Sequence, residues 1–190
     1  MRALVVNDWV KSLDELKISD FPNPTVTDYT VVVDIRAIGT NFFDGLMVQG
    51  KYQFKPSFPF IPGAEFAGVV SQVGQHVTEY KVGDRVFGGG LTGAYAEQIL
   101  VSPVQLFPIP QGMSFEEAPG IYGTYTTSYA ALKVRAQLKA GETCLVHAAA
   151  GGVGIAAVQV SFFDFFSSSS FCFEGNLPFF KSGECGAQMI

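Results

Sequence analysis

Leu145-Val146-His147-Ala148-Ala149-Ala150-Gly151-Gly152-Val153-Gly154 is an apolar run that passes directly into a glycine cluster. Glu142-Thr143-Cys144 leads into it and Ile155-Ala156-Ala157-Val158-Gln159 follows, so the order reads buried strand over 142–148, glycine turn, helix. A dinucleotide-binding turn requires that order. Glycine lets the backbone come close to a pyrophosphate, and the helix N-terminus adds unpaired N–H groups and the positive end of its dipole. Ala149 stands where the G-x-G-x-x-G pattern has its first glycine. An ordinary strand-to-helix turn shares this outline, but the flanking strand and helix favour a cofactor turn, with Gly151, Gly152, Val153 and Gly154 as its binding residues. Glu174 lies twenty residues beyond Gly154, the offset of a ribose-binding acid. The intervening run is a poor helix ahead of a very short strand, Phe171-Cys172-Phe173, so that offset reads as coincidence.

Upstream, from Arg2 to about Gln111, short β-branched runs are cut at near-regular intervals by Gly and Pro. Thr30 to Ile38 sets Val31, Val33, Ile35 and Ala37 on one face, the period of a half-buried strand. Phe66 to Gly74 predicts a second strand, and Asp84 to Phe87, entered through the Val82-Gly83-Asp84 turn, a third. Many short strands predict a barrel or sandwich. After Pro110 the pattern changes. Ser114 and Glu117 form a capping-box pair, and apolar residues continue at helical spacing to about Leu138, with a break expected near Pro119 and Gly123 to give two helical pieces.

The 190 residues allow one domain or one and a fraction; 48% are hydrophobic and 15% charged, enough to bury a core. Net charge is −5 with only 12 Lys and Arg, so no basic patch exists to neutralise a run of phosphates, and nucleic acid is excluded as a partner. Cys144, Cys172 and Cys185 are odd in number and lack metal-ligand spacing, which argues against a disulfide framework or zinc site and fits a reducing, cytoplasmic compartment. Met1 to Val6 is strand-like and too short for a signal peptide, so no export is expected. The longest apolar stretch, around Val153 to Phe166, is interrupted by Gln159, Ser161 and Asp164 and is shorter than a membrane span, so no membrane association is expected.

His76 and His147 have no Cys, Asp or Glu at ligand spacing and read as surface or strand residues; no Ser-His-Asp arrangement follows from them. Asn41, Asp44 and Tyr52 follow a strand in a glycine-flanked region, and by themselves they read as helix-cap and loop residues.

Taken together, Ala37-Ile38-Gly39-Thr40-Asn41, Pro62-Gly63-Ala64-Glu65-Phe66-Ala67-Gly68, Val82-Gly83-Asp84-Arg85-Val86 and Leu145 to Gly154 occur in an order that resembles the medium-chain dehydrogenase/reductase superfamily, in its zinc-free quinone oxidoreductase (zeta-crystallin-like) branch. The resemblance covers Met1 to about Gln159. It implies an α+β chain: a GroES-like β-rich barrel domain over 1–112, then the first strand, turn and helix of a Rossmann fold over 113–160. It further implies NADPH as hydride donor and quinones or other conjugated enones as acceptors. Zinc-dependent members carry Cys and His at the places matched by Asn41 and Ala64, so a metal-free mechanism is implied. In that branch the residues matching Asn41, Asp44 and Tyr52 line the cofactor and substrate cleft, and the one matching Thr127 lies near the nicotinamide; these four are the candidate catalytic residues.

Only 48 residues follow Glu142, whereas a Rossmann domain repeats βαβ units of roughly 30 residues. The expectation is a C-terminally truncated, impaired or inactive oxidoreductase without a site for the adenosine half of NADPH. Its strand at 143–148 should then have unpaired edges. Residues 161–190 hold eight Phe and six Ser without amphipathic period and read as an unrelated tail. Gln159-Val160-Ser161 can be written CAG-GTA-AGT, an exon end followed by an intron start, which suggests a retained intron; a lineage-specific tail packed on the sheet is the other explanation. Such a tail favours homo-oligomerisation or association, and the reading from a different class is a non-catalytic interaction module docking a partner through it.

Overall fold

The computed structural model describes residues 1–165 and 172–174. Contacts divide the chain into two units, Met1–Tyr122 and Gly123 onward. In the first unit five antiparallel strands form one sheet. They are β3 (Val31–Gly39), β4 (Glu65–Val73), β5 (Arg85–Gly89), β6 (Gln98–Val101) and β7 (Leu106–Pro108), in spatial order β6-β3-β4-β5-β7. Two short strands, β1 (Arg2–Leu4) and β2 (Ile18–Asp20), pair separately. The β-rich barrel expected from the sequence is therefore present as an open sheet. The one α-helix placed among these strands is α1 (Phe42–Val48).

The core follows from the strand pattern. Val31, Val33, Phe66, Val70, Val86, Ile99 and Leu106 form one buried cluster on the sheet. The expected half-buried alternation in β3 fails at its start, where Val31, Val32 and Val33 are all buried. The pairing with β4 slips between Val32 and Val33 and again between Ile35 and Ala37. Such bulges re-aim side chains and break a strict period of two. A second cluster, Val6, Met47, Val48 and Phe60, seats the inner face of α1, with Trp9, Phe43 and Tyr52 packed against it.

Ser114 and Glu117 do form a capping box, the Ser114 N–H donating to Glu117 Oε2 at 2.9 Å and the Glu117 N–H to Ser114 Oγ at 3.2 Å. They close a turn and not a helix. Helical geometry runs instead from Pro119 to Arg135, π-helical at Ile121–Tyr125 and Ala130–Arg135 with α2 (Thr126–Tyr129) between them. The break expected near Gly123 is absent: the helix passes through the glycine as a π turn.

The second unit holds β8 (Leu145–His147), α3 (Gly152–Phe165) and β9 (Cys172–Glu174). The strand expected over 142–148 is shorter, since Glu142 and Thr143 are exposed and only Cys144 and Val146 are buried. β9 pairs with β8 in parallel, setting Glu174 opposite His147. One edge expected to be bare is thus occupied. Helix α3 continues to Phe165; apart from β9, the rest of the expected tail, 166–171 and 175–190, lies outside the described residues. Leu132, Leu138, Cys144 and Val146 form the unit's core, against which Ala157, Val158 and Val160 of α3 pack.

Candidate functional site

In the first unit β3 ends at Gly39 and the chain turns through Thr40 and Asn41 into α1, so Asn41 caps that helix. The Asp44 carboxylate reaches back and accepts the Asn41 N–H at Oδ2, 2.8 Å away. Oδ2 also accepts the Tyr95 hydroxyl at 2.9 Å. The Asn41 side-chain amide donates to Glu65 Oε1, at the head of β4, at 2.8 Å. Asn41, Asp44, Glu65 and Tyr95 thus form one polar network assembled from three separate stretches of chain. Gly63 makes it possible: its φ of +94° is in the left-handed region, and a Cβ there would lie 2.3 Å from the Tyr95 ring.

The two carboxylates of the network are enclosed, while Asn41 and Tyr95 are half-buried. Asp44 is 4% exposed and Glu65 2%. Asp44 Oδ1 is buried without a hydrogen-bond partner, and such a group costs about 1–3 kcal/mol. Burial pushes the Asp44 carboxyl above the usual aspartate range, while the Asn41 N–H and the Tyr95 hydroxyl pull the other way. Burial, then the neighbouring Asp44 and Glu65 carboxyls, push the Tyr95 hydroxyl far up, so it remains a proton-bearing donor at ordinary pH.

Beside the network lies a cleft of about 420 Å³. Asn41, Asp44 and Tyr95 make it polar, and Leu13, Leu16 and Leu46 make it apolar. Apolar walls with a few convergent polar groups are the usual composition of a small-molecule site. Of the four residues the sequence proposed as catalytic, Asn41 and Asp44 meet here. Tyr52 is half-buried in the aromatic cluster instead, stacked on Phe43 with ring centroids 5.4 Å apart, and is not among the residues lining this cleft. Thr127 belongs to the second unit, exposed on α2.

Sequence reasoning missed Glu65 and Tyr95 as members of the site. A charged residue between Ala64 and Phe66, in a stretch otherwise apolar, was a usable signal for Glu65; nothing local marks Tyr95. Among the described residues no group of three His, Cys, Asp or Glu is placed to hold a metal ion.

In the second unit the glycine turn has its own geometry. Gly154 is buried, and a Cβ on it would lie 2.2 Å from the Ala148 carbonyl oxygen. Gly151 and Gly152 are exposed, as is Val153. The Gly151 N–H donates to Ala148 O at 2.9 Å, and the first turn of α3 closes with Ile155 N–H to Gly151 O at 2.8 Å. Ser128 Oγ donates to Val153 O at 2.8 Å, tying α2 to the start of α3. Ala148 itself has φ +52°, so the left-handed residue of this turn is not the Ala149 that replaces the first motif glycine. Cys144 is buried, and burial raises its thiol, which makes it a packing residue rather than a nucleophile.

Among the described residues no helix is long and apolar enough to cross a membrane. Residues 27–111 match the alcohol dehydrogenase GroES-like domain family. Quinone oxidoreductase from Homo sapiens is 38% identical over 144 residues, covering 75% of this chain and 44% of that protein. The synaptic vesicle membrane protein VAT-1 homolog from Homo sapiens is 40% identical over 162 residues, covering 84% and 41%. The crystal structure of Escherichia coli quinone oxidoreductase complexed with NADPH superposes with a TM-score of 0.78 at 32% identity, over 85% of this chain and 49% of that one. This chain therefore spans less than half the length of each of these relatives. It belongs to the medium-chain dehydrogenase/reductase superfamily, in its quinone oxidoreductase branch, and carries that family's GroES-like domain followed by part of its Rossmann-like region.

Proposed function

We propose that these residues are the acceptor-binding domain, 1–112, and the opening cofactor segment, 113–160, of an NADPH-dependent reductase of quinones or other conjugated enones in the cytoplasm. The observation that carries this reading is the Asn41–Asp44–Glu65–Tyr95 network, three of whose members, Asn41, Asp44 and Tyr95, line a cleft with apolar walls. Bound NADPH would supply the hydride. The protein's part is positional: leucine side chains receive the hydrocarbon ring, and the second amide hydrogen of Asn41 is available to an acceptor carbonyl oxygen. Glu65 holds that amide in one orientation, and Tyr95 holds the Asp44 side chain.

On the cofactor side Gly151, Gly152, Val153 and Gly154 would hold the pyrophosphate: the amides of the last three open α3 without helical acceptors, and Gly151, whose own N–H is taken by Ala148 O, shapes the turn. The close approach of Gly154 to the Ala148 carbonyl keeps the turn tight enough for that role. These 190 residues taken alone supply no described surface for the adenosine half. Binding energy from such non-reacting parts normally helps to position the reacting carbon, so turnover as well as affinity should be low. NADPH should bind the isolated chain no tighter than roughly millimolar, about 4 kcal/mol, with quinone reduction near background. Fluorescence titration of NADPH and its oxidation by a simple quinone test both; micromolar binding with saturable turnover would refute the impairment.

The second reading, a non-catalytic interaction module, is favoured by one observation: α3 exposes Val153, Ile155 and Phe162 together on one short helix. That module would bind neither NADPH nor quinone, which the same titrations decide.

A further inference from the structure

Gly45 lies inside α1, between the buried Asp44 and Leu46, and lines the cleft. Glycine weakens a helix interior relative to alanine, because its backbone has more freedom to lose. It is normally kept there when a neighbour leaves no room for a Cβ or when φ is positive. Neither holds at Gly45: a Cβ built there meets no atom within 4 Å, and its φ is not among the positive ones. Gly63, on the same site, needs both exceptions. The space left over Gly45 is space in the cleft, bought at the expense of the helix.

The walls indicate what fills it. Asn41, Asp44 and Tyr95 form the polar part, where a carbonyl-bearing ring would lie. Leu13, Leu16, Leu46 and Val48 extend the apolar lining of this cleft of about 420 Å³ beyond the polar part, room for more than one flat ring. Leu13 is itself more than half exposed, as expected of a wall awaiting a ligand. We propose that Gly45 is a specificity-determining residue, whose missing side chain opens the α1 side of the cleft to the flat face of a fused two-ring conjugated dione in preference to a one-ring dione. The inference rests on the acceptor-binding reading given above.

The test uses the 190-residue chain, its Gly45→Ala and Gly45→Leu variants, and two quinones substituted so that they do not arylate thiols: 2,3-dimethyl-1,4-naphthoquinone and tetramethyl-1,4-benzoquinone. Affinities are measured by calorimetric titration and stability by thermal unfolding. The parent should bind the naphthoquinone more tightly. Gly45→Ala should raise Tm by about 2–4 °C, the helix gaining what glycine withheld. Gly45→Leu should weaken naphthoquinone binding about tenfold or more and abolish the two-ring preference. Stability rising while binding falls is the signature of a residue kept for the ligand. A lower Tm for Gly45→Ala, equal parental affinities for the two quinones, or unchanged naphthoquinone binding in Gly45→Leu each overturns the inference. Failure of the parent to bind either quinone overturns the acceptor-binding reading itself.

Discussion

The two units reach order by different routes. In Met1–Tyr122 the sheet strands all pair antiparallel, and β3 and β4, the two longest, each have a partner on both sides. The unit beginning at Gly123 has, among the described residues, one parallel pair of three-residue strands and a helix with apolar residues on its exposed side. Antiparallel sheets tolerate one solvated face, whereas parallel sheets are found with both faces covered. The first unit can therefore close its core from its own sequence. The second presents a tight strand-to-helix turn in a setting that leaves apolar surface in water.

The largest effect that would sharpen this contrast comes from the first unit's core. Phe66 is fully buried in the main cluster, so Phe66→Ala should cost about 3–5 kcal/mol. Denaturant unfolding followed by fluorescence of Trp9, the single tryptophan, reports it directly. In the second unit Gly154→Leu drives a side chain into the Ala148 carbonyl and should cost about 2–3 kcal/mol locally. Hydrogen exchange should accelerate across β8 and α3 while the Trp9 transition stays where it is. A shift of both together would break the separation of the units.

Smaller effects probe the polar network. Tyr95→Phe removes the hydroxyl from Asp44 Oδ2 and leaves a second buried oxygen less satisfied, a loss of about 1–2 kcal/mol by chemical denaturation. Asp44→Asn tests the direction of the carboxyl's shift. A raised folded-state value means that the protonated form favours folding; this contribution is complete below the ordinary aspartate value, about 3.9, and is lost as pH rises through the folded-state value. The stability of Asp44→Asn relative to the parent should therefore improve between about pH 4 and neutrality. A difference that is flat or falls across that range would place the carboxylate's hydrogen bonds above its desolvation.

The smallest expected effect is at the glycine turn. Ala148 holds φ +52°, a conformation that glycine adopts without a Cβ penalty. Ala148→Gly should raise stability by up to about 1 kcal/mol, offset in part by the greater entropy of glycine in the unfolded chain. Melting of the variant against the parent settles the sign.

Much of the scaffold was legible because its signals are local. Glycine spacing after an apolar run defined the β8–α3 turn, and β-branched runs between Gly and Pro located β3, β4 and β5 to within a residue or two at most ends. What the sequence could not supply is distance across the chain. Asn41 meets Glu65 across 24 residues and Asp44 meets Tyr95 across 51. Both contacts exist because the sheet aligns β3 with β4 and because Gly63 turns left-handed under the tyrosine ring. The bulges in β3, the π turns over Ile121–Arg135 and the strained φ at Ala148 likewise depend on what packs around them. Local propensity chose the elements; register and packing, which depend on residues far apart in the chain, decided which polar groups share the cleft.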